Sequence, residues 1–146
     1  MDATLEFELT LTELDVPGPV RQDAVGLLRC ALNALEGAEA RVTARHRREA
    51  RAVIEAEDAR VSVIVELGSD RPRLSATVDD PSIPEEVLAC AAETGVRSFS
   101  FDLQGEGLRV QGRFDVGYVQ VEVVGGERGR ELLDRLRERG LRVVEV

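Results

Sequence analysis

Alternation of apolar and polar positions organises most of this chain. At the start, Leu5, Phe7, Leu9 and Leu11 alternate with Glu6, Glu8, Thr10 and Thr12, a period of two that predicts a strand with one dry face. The segment "DVPGP" then breaks the pattern. Ala24, Leu27, Leu28, Ala31, Leu32 and Leu35 recur at helical spacing, and Gly37 follows as the terminating residue.

Residues 38–60 read two ways. Their Ala, Arg and Glu content suits a helix by propensity. Register favours strands. Val42, Ala44 and His46 share one face of a strand, and Ala50, Ala52, Ile54 and Ala56 share one face of the next. A loop at residues 47–49 puts those faces on the same side and sets Arg45 opposite Arg51 and Arg41 opposite Glu55. A turn at Asp58 and Ala59 then aligns Ala56 with Val61, Ile54 with Val63 and Ala52 with Val65.

Farther on, "RLSATVD" predicts another strand, and "DPSIPEEVLACAAETG" a helix opened by Ser82 and Glu85 in capping-box spacing and closed at Gly95. A second meander follows in "SFSFDLQ", "GLRVQGRF" and "YVQVEVV". In it Phe99, Phe101 and Leu103 face inward with Leu108, Val110 and Phe114 across a turn at Gly105 and Glu106. "GGERGRELLDRLRERG" predicts a third helix and "LRVVEV" a last strand.

The elements sum to an α+β fold. Its mostly antiparallel sheet comes from two strand–helix–three-strand units, followed by a terminal helix and strand. Residues 1–146 form a single domain, with pseudo-repeat halves at about 1–70 and 71–124 and the helix–strand at 125–146. Internal duplication of the halves is left open by the residues. A chain of this length buries about 68–70% of its unfolded surface and needs no disulfide or metal staple.

Composition narrows the function. Aromatics are only 3% of residues, so platforms for stacking bases or sugars are few. All 19 basic residues are arginine, which excludes chemistry that needs a lysine; GC-rich coding and salt adaptation both explain the bias. A net charge of −9 opposes a general nucleic-acid or anionic-membrane surface. No apolar run reaches the roughly 18 residues of a membrane span, no leader pattern opens the chain, and cytoplasm is the expected location. Cys30 and Cys90 are expected as two buried small hydrophobes, since their spacing matches neither a disulfide framework nor a CxxC site.

Candidate chemistry is thin. His46 is the only histidine, so histidine-cluster metal sites are excluded, and the register sets it on the apolar face. Asp79, Asp80 and Glu85 are the candidates to hold a hard cation in a small metal-assisted enzyme, but helix capping is their simpler role. "VVGGERGRELL" offers glycines at a helix start without a phosphate-loop spacing. Two surfaces stand out. One is "RVTARHRREAR", five arginines in eleven positions, with Arg45, Arg47, Arg48 and Arg51 as anion contacts. The other is the wet face of the second meander, with Arg109, Arg113 and Tyr118 as interface anchors.

The expectation is therefore a non-enzymatic binding or regulatory module acting through protein contacts, self-association included, with no catalytic residue, cofactor or metal. The alternatives are an anion- or nucleic-acid-binding protein using the arginine-rich hairpin, and the metal-assisted enzyme.

Overall fold

A computed structural model of the chain describes residues 2–116 and 118–146. Among them the elements run α1 (Ala3–Glu13), α2 (Gly18–Ala34), β1 (Ala40–Arg45), β2 (Glu49–Glu55), β3 (Ala59–Glu66), β4 (Arg73–Val78), α3 (Ser82–Thr94), β5 (Ser98–Gly105), β6 (Leu108–Asp115), β7 (Tyr118–Gly125), α4 (Glu127–Glu138) and β8 (Val143–Glu145). The eight strands form one sheet in strict chain order. Neighbours are antiparallel except β4–β5 and β7–β8, where α3 and α4 carry the chain back across the sheet. The fold is α+β with a mostly antiparallel sheet.

The helices share one face of this sheet, packing in series as α1 on α2, α2 on α3 and α3 on α4. Beneath them the inward residues of the strands make a continuous core: Ile54, Val61, Val63, Leu74, Phe99, Leu103, Val110 and Val121 are all essentially inaccessible. The helices close it with Phe7, Leu11, Leu27, Leu28, Leu88, Leu132 and Leu136. Inward alternation is why the strands form here, and the helical stripes supply the facing layer. No helix among the described residues is long and apolar enough to cross a membrane.

The first element corrects the sequence reading. Residues 3–13 are helix, not strand, and bury Thr4, Phe7 and Leu11 while Leu5 and Leu9 face water at 48% and 44% exposure. Both periods are present in the stretch, because Phe7 and Leu11 belong to each. The N-terminal cap favours the helix, and the threonines direct their hydroxyls to its own carbonyls. Asp2 Oδ1 accepts from the Thr4 N–H at 3.0 Å, and the Thr10 and Thr12 hydroxyls donate to the Glu6 and Glu8 carbonyls at 2.8 Å each. The first of the two expected units therefore opens on a helix, while strand–helix–three strands does describe β4, α3 and β5 to β7.

Residues 38–60 resolve as strands with the expected faces, but each expected hairpin register is displaced by two residues. Arg45 lies opposite Glu49, Thr43 opposite Arg51 and Arg41 opposite Val53. Ile54 pairs with Val61 and Ala52 with Val63. In the second meander Leu103 pairs with Val110 and Phe99 with Phe114. A two-residue slip preserves which side every residue faces, so alternation alone cannot detect it.

The cysteines also depart from expectation. Cys30 of α2 and Cys90 of α3 are joined in a disulfide with Cα atoms 5.6 Å apart. Their sequence separation of 60 carries no pairing signal; the packing of α2 on α3 brings them together. Ser82 and Glu85 do not form the expected capping box either. Asp80 Oδ1 accepts the Ser82 N–H at 2.9 Å, and Glu85 turns to the arginines of α4.

Candidate functional site

Helices cover one face of the sheet and leave the other open, so the outward strand residues decide what the molecule presents. Most of their charge is neutralised within the face. Arg41 and Arg60 share Glu55, Arg73 meets Glu66, and Arg113 meets Asp115 at 2.9 Å. The face is not uniformly polar. Ile64 is buried between its ladder partners Arg51 and Arg73, whose aliphatic stems flank it.

The β1–β2 hairpin breaks this balance. Its tip consists of His46, Arg47 and Arg48, joined by a hydrogen bond from the Arg48 N–H to the Arg45 carbonyl at 3.0 Å. The Glu49 carboxylate, directly across from Arg45, is already held by two bonds from Arg51, at 3.2 and 3.3 Å. Among the described residues, Arg45, Arg47 and Arg48 are left without an ion pair, and all three are exposed. The like-charge opposition expected between Arg45 and Arg51 does not occur, since the register separates them. Arg41 still reaches Glu55, at 3.2 Å, but diagonally.

The tip has an unusual backbone. His46 and Arg47 have φ of 51° and 55°, the left-handed region that glycine and asparagine enter readily. Holding ordinary residues there costs about 1–3 kcal/mol each. His46 is exposed at this tip, correcting the expectation that it faces the core. Three cationic side chains, one histidine and a strained two-residue turn thus project together from the edge of an acidic molecule.

The other sequence-predicted residues are distributed elsewhere. Arg51 is engaged by Glu49 and lies on the open face below the tip. Arg113 borders a shallow groove over β5 to β7 with Asp102, one of whose carboxylate oxygens is buried without a hydrogen-bond partner. Arg109 is exposed at the far end of β6, without an ion pair among the described residues. Tyr118 stands at the mouth of a different cavity, at the ends of α3 and α4. The seven residues therefore form no single surface; only Arg45, Arg47 and Arg48 are grouped.

The acids proposed for catalysis are not brought together. Asp80 caps the start of α3, while Glu85 is buried against Arg135 and Arg139. Among the described residues no three His, Cys, Asp or Glu side chains converge so as to hold a metal ion. The glycines of "VVGGERGRELL" serve packing: the Arg128 N–H at the start of α4 donates to the Gly107 carbonyl at 3.1 Å. Gly129 seats the helix on Val110 and Val123.

Comparison of the chain with protein-family models, curated proteins and solved structures finds no match.

Proposed function

We propose that the protein is a non-enzymatic binding module that engages an acidic segment of a protein partner through the β1–β2 hairpin tip. The observation that carries this reading is the group Arg45, Arg47 and Arg48, exposed and without ion pairs in a molecule whose other outward arginines mostly have carboxylates. Guanidinium groups pair bidentately with carboxylates, and clustering them on a turn lets one acidic stretch meet several at once. The strained φ values at His46 and Arg47 support it further, because a turn selected for stability alone would carry Asn-Gly.

A protein partner is favoured over nucleic acid. All four phenylalanines are buried in the core, and the single tyrosine lies on β7, so no aromatic ring accompanies the tip to stack a base. Self-association belongs to the same proposal as a secondary mode, through a surface other than the β1 edge, where Arg45, unpaired among the described residues, opposes pairing of two copies. The proposed location is the cytoplasm. That placement requires the Cys30–Cys90 bridge to persist against reducing thiols; Cys30 is buried, but Cys90 is half-buried and both line a surface hollow.

The test is fluorescence anisotropy with a labelled deca-glutamate peptide and a DNA oligonucleotide of equal charge, each at two salt concentrations. The peptide should bind, and replacing Arg45, Arg47 and Arg48 together by Ala should weaken it at least tenfold. Affinity untouched by the triple substitution, or a clear preference for DNA, would overturn the reading.

A further inference from the structure

Toward the edge of the sheet opposite the hairpin, α3 and α4 each run out into the loop that leads to the next strand. Gly95 and Gly140, with φ of 79° and 89°, turn the chain off each helix. Between those two exits lies a cavity of about 750 Å³, within the range of small-molecule sites. Its wall is apolar, built from Ala89, Val96, Phe114, Val119 and Leu141. Arg97, Arg139, Arg142 and Tyr118 also line it, with Glu93 the one lining carboxylate among the described residues.

The arginines are not equivalent. Arg139 is committed to Glu85 and Glu86, and Arg97 lies 3.8 Å from Asp23. Arg142 has no ion pair among the described residues, and its backbone is fixed because its carbonyl accepts the Val119 N–H at 2.7 Å. The carbonyl ends of α3 and α4 contribute partial negative charge nearby, which opposes an anion and which the arginines of the lining offset. The Ala91 and Leu136 carbonyls accept the Val96 and Leu141 N–H groups. An unsatisfied cation therefore stands over an apolar hollow.

We infer that this cavity is a binding site for a small organic anion with an apolar body, a carboxylate on an aliphatic chain or ring. The hollow takes the hydrocarbon, and Arg142 takes the carboxylate in a charge-assisted bidentate contact. Desolvating the hydrocarbon drives association, while Arg142 discriminates the anion from a neutral molecule of the same shape. This site is separate from the hairpin tip and does not depend on what the tip binds.

The experiment is a nitrogen–proton correlation NMR titration of the intact protein with octanoate, 1-octanol and octyltrimethylammonium, all kept below micellar concentrations. Octanoate should give saturable shifts at the amides of Val96, Val119 and Leu141, with octanol at least fivefold weaker. Arg142→Ala should weaken octanoate at least fivefold and leave octanol unchanged. Ala92→Phe, at an exposed lining position that tolerates a larger side chain, should weaken both. Equal affinity for octanoate and octanol, indifference to Arg142→Ala, or no saturable shift at these amides would overturn the inference.

Discussion

At the scale of single residues, the hairpin tip trades stability for charge. His46 and Arg47 occupy left-handed backbone that Asn and Gly accept with little cost. The double substitution His46→Asn with Arg47→Gly should therefore stabilise the protein by about 1 kcal/mol while weakening acidic-peptide binding. Urea unfolding and anisotropy on the same sample measure both effects. Glycines elsewhere report close approach. A Cβ at Gly105 would overlap the Val78 carbonyl, and one at Gly126 the Gly107 carbonyl. Gly105→Ala and Gly126→Ala should each cost about 2 kcal/mol or more in denaturant melts, because backbone offers no flexible end to yield. The turn expected at Gly105 and Glu106 falls instead at Glu106 and Gly107, and Gly107 takes its left-handed position with φ of 70°.

Elements are joined by polar contacts that read as surface charge in the sequence. Arg139, at the end of α4, bonds Glu85 Oε2 at 2.9 Å and also reaches Glu86, while Arg135 lies 3.6 Å from Glu85. Arg139→Ala leaves the buried Glu85 with one long contact and should cost about 1–2 kcal/mol, seen as a lower thermal midpoint. At the same end of α3, just before the helix begins, the Ser82 backbone N–H, and then its hydroxyl, hold the Asp80 carboxyl below its ordinary value of 3.8. A carboxyl lowered in the folded state stabilises fully above its unfolded value and loses that contribution as pH falls through the folded value. Asp80→Ala should therefore cost about 0.5–1 kcal/mol at neutral pH, with the difference from wild type shrinking as pH falls through and below the ordinary carboxylate range. Melts across that range test the sign. Both roles were partly legible. Placing Asp80 and Glu85 beside a helix start was right in kind, but only packing could reveal that Glu85 faces α4.

At the scale of the whole molecule, the Cys30–Cys90 bridge ties α2 to α3 across a separation of 60 residues. Chain-entropy reasoning assigns a cross-link of that span about 4 kcal/mol, most of it through the unfolded state. Reduction under native conditions, or replacement of both cysteines by Ala, should lower unfolding stability by about 3–4 kcal/mol and leave the circular dichroism spectrum unchanged. A smaller loss would mean that the reduced unfolded chain keeps residual structure holding α2 near α3. The sheet has two ends with different chemistry, a cationic tip at β1–β2 and an apolar, arginine-rimmed cavity at β6 to β8. Seven arginines and aromatics singled out by type divide among these places and the open face between them. Residue type identified candidates, but position along an eight-stranded sheet decided which could act together.

What the amino-acid order determined by itself was the period of each segment and hence its face. Strand parity in β1 to β7, the helical stripes of α2, α3 and α4, and the exclusion of lysine and histidine-cluster chemistry all follow from it. Tertiary structure alone decided the rest. A period of two is blind to a two-residue slip, so the register that gave Glu49 to Arg51 and left Arg45 unpaired came from turn geometry. The stretch at Phe7 and Leu11 fits two periods, and capping with the packing of α1 on α2 selected the helix. The disulfide and the cavity depend on where helices end relative to one another, and contacts of that range leave no periodic trace in the chain.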